Sequence, residues 1–465
     1  MRTHAIGGFA LVFAAALPTA TQALTETVHC DGSMQPDTIA EALDAAAMDS
    51  EADVITVDGT CTEGLVTISL DDVTIQGGTV LGQLFVDGAR RVTLRDMTIQ
   101  SGAEGPPPEG VSAISSASGS VAVFNVIIEH VGGRGVFLYR GASAVLEGVT
   151  IQDTEVAVDV QESSFLLVRP SVIANNAAHG IVASLGSSVR VFASEIRENG
   201  ELGLLVDQTS AGFVVDSTIR NNGDGVALTG GSQGVFQNDS IRDNSGAGIS
   251  IDRGAEAVVE ASTIENNGTT GISTIRASSL TLVDSTVQGN PEGVSLNTQA
   301  VGWLRGSTIS TSSTEDDALF IGWGSAARMN GGNTIASPVS AIFLRQGATL
   351  NQRSGDEVNG PVTVDALSNA EFRDVSIRGA LAVVDHSLVR FRDQSGSSGH
   401  VSLRGNGSVS RDSGLDFLRD AGEQRVRVVG NITCADTESS LSAPATNVVV
   451  IGKTVGCTGY NNVSN

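Results

Sequence analysis

The chain is 465 residues long and carries 27 Lys and Arg against 52 Asp and Glu, a formal net charge of −25. No basic face of any size can be assembled from that balance, which excludes nucleic acid as a partner and disfavours anionic lipid. Lys is nearly absent while Gly, Ser, Thr, Val and Ile dominate, a composition that favours strands and tight turns over helices.

Residues 1–23 read as a secretory signal: Arg2 supplies the positive start, Ile6 to Leu17 an apolar stretch too short to span a bilayer, and Thr21-Gln22-Ala23 a small-residue cleavage site. Later apolar runs alternate with polar residues, so no membrane span is expected after signal removal, and the protein is expected to be secreted or periplasmic. Residues 24–53 form an N-terminal cap. Within it Thr38-Ile39-Ala40-Glu41 is a capping-box pattern opening a short helix through Ala47, with Ile39, Leu43 and Ala46 on one face. Four cysteines sit two near each end. The economical pairing in an oxidising compartment is Cys30 with Cys61 and Cys434 with Cys457. Zinc at these cysteines is disfavoured, because the pairs lie far apart and lack His at ligand spacing.

Residues 54–430 carry an internal repeat. Ile128, Ile151, Ile173, Ile196, Ile219, Ile241, Ile264, Val287 and Ile309 follow one another at steps of 22 or 23 residues. Three residues after six of these markers come Asn176, Asn199, Asn222, Asn244, Asn267 and Asn290, and six or seven after them Gly180, Gly203, Gly225, Gly248, Gly271 and Gly293. Apolar and polar residues alternate around each marker, as in a half-buried strand. The Asn-containing segment is expected to turn the chain with Asn or Gly in left-handed angles. Second and third strands follow, as in Gly248 to Ile251 and Ala257 to Glu260. Three strands per coil, stacked about 4.8 Å apart, give an all-β solenoid of three parallel sheets, roughly 16 coils and about 75 Å in length. The six asparagines read as a structural ladder of stacked amides. The segment Ser101 to Gly110, with Pro106-Pro107-Pro108, reads as a stiff lateral loop, and the period loosens after Ser310 through Ile335, Val358 and Ile377. Residues 431–465 form a C-terminal cap in which Val448 to Ile451 is a closing strand.

The S-x-I-x-x-N-x-x-x-G-I repeat resembles that of the pectin-lyase-like superfamily. The segments Val28-His29-Cys30 and Gly59-Thr60-Cys61 look like those of its exported bacterial members. The resemblance implies a right-handed, single-stranded parallel β-helix and, for many relatives, polysaccharide chemistry. A fold shared by lyases, hydrolases, epimerases, tailspikes and adhesins does not fix the activity.

A Ca²⁺-dependent lyase would need carboxylates on adjacent coils and a basic residue to take the proton. Two residues after the marker stand Glu198, Asn221, Asp243 and Asn266, where Asn interrupts the carboxylates, so no metal site is assigned and Ca²⁺ is the only cofactor considered. One residue after the marker stand Arg197, Arg220 and Arg242, either neutralised by Glu198 and Asp243 or suited to an anionic sugar chain. In the polygalacturonase-like hydrolases, carboxylates on neighbouring coils activate water and protonate the leaving oxygen. Asn290-Pro291-Glu292-Gly293 and Thr314-Glu315-Asp316-Asp317-Ala318 resemble their first two motif elements. The expected His-Gly is absent (Pro338 and Val339 fall there), and no R-I-K element follows. The coil from Ser307 to Gly332 is long, so Thr311 to Asp317 is expected to bulge outward. The only tryptophans, Trp303 and Trp323, lie on this coil and the one before it, so an acid-aromatic sugar-binding cluster is expected. The histidines His130, His179, His386 and His400 fall at unrelated coil positions, and no Ser-His-Asp arrangement or phosphate-binding loop is visible. Two readings follow. One is a protein that binds and processes polysaccharide or cell-envelope glycan through Glu292, Glu315, Asp316, Asp317, Trp303 and Trp323, as a lyase or glycoside hydrolase. The other is a non-catalytic envelope or adhesion rod. Metal-centre maturation, which some similar β-helix proteins perform, would want a Met/His/Cys-rich cluster that is missing here. The oligomeric state is not legible.

Overall fold

A computed structural model describes residues 25–30, 35–47, 53–101, 111–353, 355–393, 401–419, 426–435, 439–442, 448–451 and 454–456. The signal segment, residues 102–110 of the lateral loop, His400 and Cys457 lie outside the described residues. The chain winds into a parallel solenoid of about 16 turns. One sheet, here the first, holds 19 strands, from Thr25–His29 to Ser440–Ser442. The second and third sheets are joined at the N-terminal end by the long strands Thr60–Ile68 and Thr79–Asp87, which run across both. From Thr98–Gln100 and Ser112–Ala117 onward they separate, giving the three faces expected.

The markers are the inward residues of the second sheet, and they stack in register from Ile128 on Ile151 through Val287 on Ile309. Beyond Ser310 the spacing varies but the ladder does not: Ile309, Ile335, Val358, Ile377, Leu403 and Val428 pair in turn. The extra or missing residues are absorbed at the corners, since a slip within a strand would turn its apolar set outward. The interior is one continuous apolar cluster from Val28 to Leu441. Toward the C-terminal end it includes a stack of Phe372, Phe391 and Phe417 with ring centroids 5.5 and 5.3 Å apart.

The N-terminal end is closed by the helix Ile39–Ala46. Thr38 Oγ1 accepts from the Glu41 N–H at 3.1 Å, capping the first turn. Ile39, Ala42, Leu43 and Ala46 are buried, and the helix contacts the strands Thr25–His29, Val54–Asp58 and Thr60–Ile68. Cys30 and Cys61 are disulfide-bonded across a Cα–Cα distance of 4.9 Å. Cys434 is also disulfide-bonded; Cys457, its expected partner, is outside the described residues. Val448–Ile451 adds in parallel to Val426–Val429, extending the second sheet as expected of the closing strand.

Asn176 through Asn290 form the amide ladder, each no more than 3% exposed. Nδ2 of each donates to Oδ1 of the next at 2.8 to 3.0 Å. Backbone N–H groups donate to the same oxygens, so each corner is cross-linked twice. Thr154 Oγ1 heads the row by donating to Asn176 Oδ1 at 2.7 Å, and Asn290 Nδ2 ends it on the carbonyl of Gln288 at 3.0 Å. The left-handed residues are not these asparagines but those just before them: Asn175, Glu198, Asn221, Asp243 and Asn266, with φ of 55–58°. The repeat glycines are needed for space. A Cβ on Gly225 would lie 2.5 Å from the carbonyl oxygen of Gly248 and 2.9 Å from Asn244 Nδ2.

A second ladder runs along the corner between the first and second sheets. There the N–H of Ser171 donates to Ser194 Oγ, that of Ser194 to Ser217, and the series continues through Asp239, Ser262, Ser285 and Ser307 to Asn333. The serine hydroxyls donate in turn to the carbonyl two residues back, as Ser217 does to Val215 at 2.9 Å and Ser262 to Glu260 at 2.8 Å. Asp239 is the exception. Its Oδ1 accepts from the Ser217 N–H at 2.8 Å, while Oδ2 is buried without a hydrogen-bond partner. Burial pushes its carboxyl up to about 7.

Candidate functional site

The longer coil behaves as its length requires. Thr311 Oγ1 donates to the carbonyl of Pro291 at 2.6 Å, and the Ser313 hydroxyl gathers the N–H groups of Glu315 and Asp316 at 3.2 Å, folding residues 311–316 into a tight bulge. The bulge returns the chain so that Asp317 opens the third-sheet strand Asp317–Gly322. Val294 pairs with Leu319, so Glu292 and Asp317, each two residues earlier, face each other on adjacent coils. Thr270 Oγ1 donates to Glu292 Oε2 at 3.0 Å. Burial raises the Asp317 carboxyl to about 6, with Glu292 and Asp316 adding negative charge and Ser340 partly opposing the shift through a hydrogen bond. Burial also raises the Glu292 carboxyl, against hydrogen bonds from Thr270 and Ser295, and Asp316 adds to the rise. Three of the four expected acids therefore form one group, while Glu315 is exposed and takes no part in it.

The tryptophans do not join them. Trp323 opens the turn just past the end of the same third-sheet strand, six residues and about 20 Å beyond Asp317 at the rise of an extended chain. It is 46% exposed, edge-on to Phe320 with Arg345 over its ring at 5.8 Å. Trp303, 40% exposed, stands on the outer face of the first sheet, past a further corner. The expected acid-aromatic cluster is thus resolved into three separate places: the acids and Trp323 lie at opposite ends of one strand, and Trp303 lies on another face, past a turn that points its side chain in a different direction.

The row Arg197, Arg220 and Arg242 does stack in register. Its charge is spent locally: Arg197 pairs with Glu195 and Glu198, Arg220 with Glu195 at 2.7 Å, and Arg242 with Asp243. The corner is neutral rather than cationic, and Glu198 and Asp243 are engaged by arginine rather than set around a cation.

The cationic surface lies elsewhere and was not legible from the markers. Along the outer face of the first sheet the register places Trp303 beside Arg328, then Asn351, Glu371, Arg390 and Asp416. Arg305, Arg353, Arg373 and Arg392 flank this row. Glu371 pairs with Arg373 and, at 3.6 Å, with Arg392, and Asp416 with Arg390 at 3.8 Å. Among the described residues no carboxylate lies within ion-pair reach of Arg305, Arg328 or Arg353. A cavity of about 360 Å³ opens on this face, lined by Val301, Ala326, Arg328, Asn351, Glu371 and Arg390 among others.

A fourth place is the corner between the second and third sheets near the N-terminal end. Here a cleft of about 1030 Å³ is bordered by Gln100, His130, Asp153, Glu155, Asn175 and Glu198. His130 is not isolated: it follows Ile128 by two residues as Asp153 follows Ile151, so the paired markers stack the two. The same +2 offset that aligned Glu198 with Asp243 would have shown this in the sequence.

A family model described as "Right handed beta helix region" matches residues 54–216, 109–255 and 157–313, together more than half of the chain, which therefore belongs to that family. No curated protein matches it. Among solved structures it is similar to the pectate lyase Pel9A, at 15% identity over 64% of this chain and 79% of that one, with a TM-score of 0.40. It is similar to the periplasmic alginate epimerase AlgG, at 12% identity over 69% and 78%, TM-score 0.41. It also resembles the A-module of the mannuronan C-5 epimerase AlgE4 of Azotobacter vinelandii, at 15% identity over 77% and 95%, TM-score 0.35. At such identities the likeness is one of fold.

Proposed function

We propose that this chain is an exported β-helix protein that binds an acidic polysaccharide along the outer face of its first sheet. The observation that carries the reading is the conjunction of exposed Trp303 with Arg305, Arg328 and Arg353, which among the described residues have no carboxylate within ion-pair reach, on a chain of net charge −25. An indole face suits the apolar face of a pyranose, and free guanidinium groups suit carboxylate or sulfate substituents spaced along a sugar chain. The Cys30–Cys61 disulfide fits an oxidising compartment. Binding is tested by affinity electrophoresis against acidic and neutral polysaccharides. It is also followed by fluorescence of a Trp323→Phe variant, in which Trp303 is the sole tryptophan. Retardation by acidic polymers only, weakened by salt and roughly 2- to 10-fold by Trp303→Ala, is expected. Equal retardation by neutral polymers, or none by any polymer, refutes the reading.

A second reading, glycoside hydrolysis at Glu292 and Asp317, is favoured by the raised pKa of both carboxyls, since a general acid must hold its proton near the working pH. Release of reducing ends by the purified protein is its measurement.

A further inference from the structure

We propose that Glu129, His130 and Asp153 form a binding site for a divalent transition-metal ion at the edge of the N-terminal cleft. One ligand atom from each residue lies within 4.8 Å of the others. His130 Nδ1 stands 3.8 Å from Glu129 Oε1 and Nε2 3.8 Å from Asp153 Oδ2. One imidazole nitrogen binds the ion, and bonds of about 2.0–2.2 Å need donor atoms about 3–4 Å apart, so the 65% exposed ring must turn to bring a single nitrogen toward both carboxylates, which lie within 4.8 Å of it. His29, His179 and His386 each face a single carboxylate, Asp58, Glu201 and Asp412 respectively. Among the described histidines His130 alone lies between two.

The site is built by neighbouring coils. Gln100 Nε2 donates to Glu129 Oε1 at 2.9 Å and Gln152 Nε2 to Oε2 at 2.8 Å, so amides from the coils on either side fix the carboxylate and leave each oxygen a second lone pair. The Ser101 hydroxyl donates to the His130 carbonyl at 2.8 Å, anchoring the turn that presents the ring. Glu155 borders the same cleft and adds negative potential. An imidazole with two carboxylates suits Zn²⁺, Mn²⁺, Co²⁺ or Ni²⁺, whereas Ca²⁺ takes oxygen ligands. Three protein ligands leave at least one position for water or for a ligand oxygen lying in the cleft. The inference is independent of the polysaccharide reading, which concerns a different face.

The test is calorimetric titration of Zn²⁺, and separately of Ca²⁺, into the untagged, metal-stripped full chain. One Zn²⁺ per chain is expected, with affinity reduced roughly tenfold or more by His130→Gln and by Asp153→Asn, and unchanged by His386→Gln. Ca²⁺ at the same concentration is expected not to compete. Both altered side chains are exposed, so unchanged far-UV circular dichroism will establish that a loss of binding is not a loss of fold. No saturable Zn²⁺ binding, or binding indifferent to both variants, overturns the proposal, as does stoichiometric displacement by Ca²⁺.

Discussion

Replacing Asp239 by Ser should stabilise the protein, and by an amount set by pH. The wild-type carboxyl is 3% exposed, has a serine on either side of it in its row, and titrates near 7 instead of its ordinary 3.8. The folded state therefore keeps a proton that the unfolded chain releases between about pH 4 and pH 7. Stability is lost as pH rises through that window and the loss is complete above it. About three pKa units at about 1.4 kcal/mol each give a cost of about 4 kcal/mol at pH 8, and essentially none at pH 3.5. A serine can accept from the Ser217 N–H and donate to the Gln237 carbonyl, as Ser217 and Ser262 do at their own positions. Denaturant unfolding of both proteins at pH 4, 6 and 8 measures the difference, with amide exchange around residues 233–242 reporting the coil itself. The variant should match the wild type at pH 4 and exceed it progressively toward pH 8. Parallel pH profiles, or a variant less stable at pH 8, would show that water or a neighbour solvates Asp239 and would refute the reasoning.

Asn222→Ala and Gly225→Ala should both destabilise the central coils, for different reasons. The first strips the Asn199 amide and N–H of their acceptor, at about 1–3 kcal/mol per buried group left unpaired, and the second drives a Cβ into the Gly248 carbonyl, at about 1–3 kcal/mol of strain; both are read from denaturant midpoints. If the acid pair hydrolyses a glycan, turnover should fall as pH rises through about 6, where Asp317 loses its proton, and Asp317→Asn should abolish it without lowering the melting temperature at pH 8. An Asp317→Asn protein that keeps full turnover would remove Asp317 from the reaction.

The sequence by itself determined the solenoid, because each coil repeats the same local instructions. Ile or Val at the marker, Asn three residues on and Gly after it fix where the chain turns and which side chains point inward, and stacking identical coils leaves one arrangement that buries them all. The N-terminal helix was legible for the same local reason: Thr38 and Glu41 cap it and Ile39 and Leu43 give it an apolar face. The asparagine ladder followed from the repeat alone, whereas the reason for the glycines required the distance to the next coil. Tertiary structure alone decided what the outer surface does. Whether Arg220 is free or paired with Glu195, whether Trp303 shares a face with Asp317, and that Arg328 stands beside Trp303 depend on the register between coils. Counting along the sequence loses that register wherever a corner gains or loses residues, although the strands keep it. His130 and Asp153 fell between these cases, on one row by simple counting, but brought to one side of a cleft only when the coils stack.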